Sequence, residues 1–147
     1  MIAVVVCSQL PIAGFAQQYQ PPNNVDLLAA YCVPILKSQL DFYQNSLAQP
    51  STNPKVDEFT RGLAADTQQN LNHVQRYVLP RMEYLDPTAL LAASTQGKED
   101  FQRALADTGQ CFSTCQNNAN AQQCMSSCTT DTMQRVRRCQ KLDWLPF

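Results

Sequence analysis

Apolar side chains recur along most of this chain at intervals of three or four, the spacing that gives a helix one buried face. In "VDLLAAYCVPILKSQLDFYQNSL" the stripe is Leu28, Cys32, Leu36, Leu40, Tyr43 and Leu47, and Asn24 stands where a helix cap belongs. Pro34 falls inside this run and cannot donate to the helical ladder, so a kink or a division into two pieces is expected there. "AQPSTNP" reads as a turn, with Pro54 near the first position of a second helix. That helix carries Val56, Phe59, Leu63, Leu71, Val74 and Val78 and should stop near Pro80.

Asp86 and Pro87 then read as a cap and a first-turn proline for a short helix, "TALLAAS", which Gly97 is expected to end. From Lys98 the stripe resumes with Phe101, Leu105, Phe112 and Cys115. "QNNANAQQ" contains a turn, because Asn117, Asn118 and Asn120 tolerate left-handed backbone or cap the next helix. That last helix presents Cys124, Cys128, Val136 and Cys139 before the apolar tail "LDWLPF". No stretch alternates as a strand does, and there is no internal repeat. The expected fold is all-α: one small helical bundle over residues 25–147, ending in an antiparallel helical hairpin.

The start of the chain has a different pattern. "MIAVVVCSQLPIAGFAQQYQPP" holds an apolar run from Ile2 to Ala16, with small Gly14 and Ala16 before polar Gln17. This is the core and cleavage site of a secretory signal peptide over residues 1–16, followed by a flexible leader over 17–24. The first basic residue is Lys37, so the positive start that such a peptide carries is expected upstream of Met1. Pro11 and Gly14 interrupt the run as a buried helix, and it falls short of the roughly 20 residues of a membrane span. No stable span is therefore expected after processing, and the protein should be secreted or periplasmic.

Composition narrows the picture. With 11 Lys and Arg against 12 Asp and Glu, no strong field draws the chain to nucleic acid or a membrane surface. Of its 7 cysteines, Cys7 leaves with the signal peptide, and the even remainder in an exported chain favours disulfides.

Geometry proposes the pairing. Four residues in a helix turn through roughly 400 degrees, so both members of a C-x3-C pair project from one face. Cys111 and Cys115 on one helix, and Cys124 and Cys128 on an antiparallel neighbour, then face each other as two rungs. The nested order joins Cys115 to Cys124 and Cys111 to Cys128. Cys139 returns to the same face three turns after Cys128, finds no cysteine opposite, and leaves Cys32 as its partner.

The stretch "CFSTCQNNANAQQCMSSC" resembles the disulfide-stapled hairpin of the α-hairpinin peptides. It is also similar to the twin C-x3-C of the small mitochondrial Tim chaperones, whose spacer is longer. The resemblance covers about residues 111–128 and implies a helical hairpin and a binding role, with no catalytic residue carried over. Bacterial copper-storage bundles likewise use C-x3-C spacing. The alternative is therefore a periplasmic copper or zinc site built from Cys111, Cys115, Cys124 and Cys128, with Met125 and Met133 as further soft donors. An oxidising compartment favours the disulfides. A C-x-x-C redox motif is absent.

Other chemistry is sparse. His73 is the single histidine and has no evident nucleophile or carboxylate beside it in the sequence. Asp57 with Glu58, and Glu99 with Asp100, suit the positive ends of helices. Arg135, Arg137, Arg138 and Lys141 form one basic cluster, which suits a helix C-terminus or contact with an acidic partner. Trp144 and Phe147 either fold back onto the bundle or anchor a partner. The sequence thus describes an exported, non-catalytic helical protein without cofactor. Its role is structural or in binding another protein or a cell-surface component, not nucleic acid.

Overall fold

The computed structural model describes residues 21–49, 51–116 and 120–146, without the side chains of 129 and 131–135. Its elements are α1 (Val25–Ala48), α2 (Pro54–Val78), a 3-10 turn (Leu79–Arg81), α3 (Pro87–Cys115) and α4 (Ala121–Lys141). No strand occurs among the described residues, so the fold is all-α. The expected signal peptide and residues 17–20 of the leader lie outside the described residues.

Three helix starts follow directly from local chemistry. Asn24 Oδ1 accepts hydrogen bonds from the backbone N–H groups of Asp26 and Leu27 at 2.9 and 3.1 Å. Asn53 accepts from Lys55 N–H, and Asp86 from Thr88 N–H. Pro54 and Pro87 each follow a cap, where the missing N–H has no helical partner to lose.

α1 is the centre of the bundle. Its residues from Leu28 to Cys32 are all buried, as are Ile35, Leu36, Leu40 and Tyr43, because α2 and α3 both pack against it. Of the two outcomes expected at Pro34, the division does not occur: α1 runs through as a single helix. An interior proline costs about 3 kcal/mol. Each fully buried aliphatic side chain returns about 1.5–3 kcal/mol, and Leu28, Ile35 and Leu36 are all fully buried.

Gly97 corrects a second expectation. It does not end a short helix but lies buried inside α3, which runs unbroken for 29 residues. A β-carbon at Gly97 would overlap the Tyr31 carbonyl oxygen, so the glycine is there to let the α3 backbone approach α1. Nearby, Tyr31 Oη donates to Asp100 Oδ2 at 3.1 Å, and Arg103 lies 3.8 Å from the same carboxylate. Leu90, Ala93, Phe101 and Ala104 complete the buried stripe of α3. Val56, Phe59 and Leu105, expected in the core, are exposed; burial in α2 is confined to Thr67, Leu71, Val74 and Val78.

α1 and α2 are pinned where one begins and the other ends. Tyr77 Oη donates to Asp26 Oδ1 at 2.9 Å, while the Arg81 guanidinium lies 3.8 Å from the Tyr77 ring centre and donates to the Tyr77 carbonyl. At the other end of the chain, α4 stops at Leu142, which adopts a left-handed conformation at φ 47°. A β-carbon there costs about 1–2 kcal/mol, offset by burial of Leu142 and Leu145 in the core. The tail therefore folds back, and Trp144 Nε1 donates to the Arg138 carbonyl at 2.6 Å.

Candidate functional site

The hairpin of α3 and α4 brings the twin C-x3-C cysteines together. Cys111 is bonded to Cys128 and Cys115 to Cys124, with Cα separations of 5.8 and 5.5 Å. The order is nested, as two antiparallel helices require. A third bond joins Cys32 to Cys139 across 107 positions, with both residues fully buried, and ties α1 to α4.

The two rungs touch each other. Cys115 Sγ lies 3.6 Å from Cys128 Sγ, a contact between different disulfides. Cys115 and Cys128 are buried, whereas Cys111 and Cys124 are half-buried. The sulfurs of Cys111, Cys115 and Cys128 all lie within 4.8 Å of one another. In this bonded state none of them carries thiolate charge, and thiolate is the form that holds zinc or copper.

A second feature is an apolar groove of 440 Å³ between the first turns of α1, the end of α2 and the start of α3. Ala30, Val33, Val78, Leu79, Met82, Leu90 and Leu91 supply its walls, and Gln75 and Ser94 its polar lining. No charged side chain among the described residues lines it. Leu79, Met82 and Leu91 are 60%, 50% and 69% exposed, far more than a core position allows. The sequence stripes did not point to these three, because Leu79 and Met82 fall in and just after the 3-10 turn and Leu91 lies off the buried face of α3. The doublet Leu90–Leu91 carried the available hint: neighbours on a helix point about 100 degrees apart, and α3 buries Leu90 but leaves Leu91 exposed.

The remaining candidates are dispersed. His73 lines a mixed cleft of 510 Å³ with Asp66, Thr67, Asn70 and Lys141 beside Tyr43, Leu63 and Leu142, so a carboxylate does share its surroundings. Asn70 Nδ2 donates to the Gln140 carbonyl at 2.9 Å on the same side, linking α2 to α4. Arg137, Arg138 and Lys141 are exposed, with Arg138 and Lys141 in the last turn of α4 where the helix dipole favours cations. The Arg135 side chain and Phe147 lie outside the described residues. Trp144 is half-buried, and its one donor is used within the chain.

No helix among the described residues is long and apolar enough to cross a membrane. In comparison with known proteins, the chain matches no family model, no curated protein and no solved structure.

Proposed function

We propose that this chain is an exported, disulfide-stapled helical protein that acts by binding, with the groove of Leu79, Met82 and Leu91 as its binding face. The observation that carries the reading is the groove itself: an aliphatic cleft without a charged side chain among the described residues, left open on a bundle held by three cross-links. Its volume is within the range of small-molecule sites, roughly 300–1,000 Å³. A lining without charge favours an occupant whose inserted part is also uncharged and aliphatic, since a buried unpaired charge is costly. Disulfides persist in oxidising compartments, which supports a secreted or periplasmic location. The dispersed polar groups favour binding over catalysis, because no nucleophile, base and orienting group converge among the described residues.

Isothermal titration of the oxidised protein with 1-dodecanol, an uncharged amphiphile, tests the groove. One saturable site with a negative heat-capacity change is expected. Leu91→Glu, on an exposed position, should abolish it and leave the helical circular dichroism unchanged. Equal binding by the variant, or no saturable binding by the wild type, would remove the groove as the binding face.

The sulfur cluster favours a second reading, a copper or zinc site at Cys111, Cys115, Cys124 and Cys128. It requires both rungs to be open, and bound metal in protein purified without reductant would support it.

A further inference from the structure

The contact between the two rungs has chemical consequences. Disulfides exchange when a thiolate attacks one sulfur and displaces the other. In each rung one cysteine is half-buried and its partner buried: Cys124 with Cys115, and Cys111 with Cys128. The half-buried members lie on different helices, and the buried members meet at 3.6 Å. We infer that the hairpin is a coupled thiol–disulfide exchange site for small thiols, in which reduction moves the bond inward to join Cys115 and Cys128.

The steps balance with a monothiol such as glutathione as the named reductant. Its thiolate attacks Cys124 Sγ, forming a mixed disulfide and releasing the Cys115 thiolate. That thiolate faces Cys128 Sγ, attacks it, and displaces Cys111 as a thiolate, which takes a proton at the half-exposed edge. A second glutathione attacks the mixed disulfide, leaving Cys124 as a thiol and departing as glutathione disulfide. Two electrons and two protons have entered the protein. Attack at Cys111 instead frees Cys128, which displaces Cys124 from Cys115 and gives the same product. Cys32 and Cys139 stay bonded throughout, because both are fully buried and neither belongs to the hairpin pair.

The site differs from the groove in place and chemistry, so it stands or fails separately from the proposed binding function. The product frees two half-buried thiols at once, Cys111 one turn before the end of α3 and Cys124 in the first turn of α4, and shifts the register of the cross-link.

The test is graded reduction of the oxidised full chain with reduced glutathione, quenched in acid, alkylated and mapped by mass spectrometry. The two-thiol species should carry label on Cys111 and Cys124, with Cys115 linked to Cys128. A two-thiol species that keeps either native rung, or a passage from no thiols to four without it, would overturn the inference. As a second measure, Cys111→Ser with Cys124→Ser should form the Cys115 to Cys128 bond in a glutathione redox buffer. If that variant keeps native helical circular dichroism with both cysteines unlinked, the inference fails; if it does not fold, the mapping of the wild type decides.

Discussion

Removing the bond between Cys32 and Cys139 cuts the covalent tie between α1 and α4 and gives the largest effect expected from any single cross-link here. The bond spans 107 positions, against 17 and 9 for the two rungs. The chain-entropy treatment then assigns it about 4.8 kcal/mol, with about 3.2 and 2.7 for the rungs. Measured losses run lower, about 2–4 kcal/mol. Cys32→Ala with Cys139→Ala is the right perturbation, because a serine hydroxyl would be buried without a designed partner. Urea unfolding, followed by circular dichroism and by the emission of Trp144, measures it. With a slope of about 2 kcal/mol per molar, the middle of the range for small proteins, the midpoint should fall by roughly 1–2 M. The slope should also rise, since the uncrosslinked denatured chain expands. An unchanged midpoint, or a loss smaller than that of the matched Cys111 and Cys128 variant, would refute the role of this bond in holding α1.

Gly97→Ala should destabilise by about 1–3 kcal/mol through overlap with the Tyr31 carbonyl, although alanine is the better helix former. Gly62→Ala, where no atom lies within 4 Å, should instead stabilise by about 0.5–1 kcal/mol; thermal melts that moved both variants the same way would contradict the close approach of α3 and α1. Gln39 Oε1 is buried with no hydrogen-bond partner among the described residues, so Gln39→Met should raise stability by about 1 kcal/mol, read in the same urea assay. Burial first, then the hydrogen bond to Asp26, raises the Tyr77 phenol above its usual 10.0, with Arg81 opposing. The protonated phenol is thus favoured by the fold, and its contribution is complete below pH 10 and lost as pH rises through the raised value. Tyr77→Phe should cost about 1 kcal/mol at neutral pH and flatten the decline in melting temperature above pH 10; a parallel decline would show the hydrogen bond to be idle.

The helices and their caps were legible because their causes are local: Asn24 and Asp86 act on backbone groups two or three residues away, and Cys111, Cys115, Cys124 and Cys128 sit at helical spacing on one hairpin. The departures arise where a neighbouring element decides. Pro34 and Gly97 read as breaks because propensity speaks for the isolated helix, whereas α1 is covered on two sides and Gly97 is the place where α3 meets it. Phe59 and Leu105 fit the periodic stripes but are exposed, since periodicity marks a face and not the length over which it is covered. The groove was hidden for a related reason: Leu79 and Met82 fall in and just after the 3-10 turn, outside any helical stripe, and meet Leu91 only in three dimensions.

The proposed export and the stapled bundle are tested together by the state of the six cysteines after Cys7. The decisive measurement is the intact mass of the protein recovered from the medium or periplasm of expressing cells, denatured and alkylated without reductant, together with its metal content. A chain beginning at Gln17, with no alkyl group added and no bound metal, is the expected result. Four alkyl groups per chain with stoichiometric copper or zinc, or a chain that retains Cys7, would contradict it.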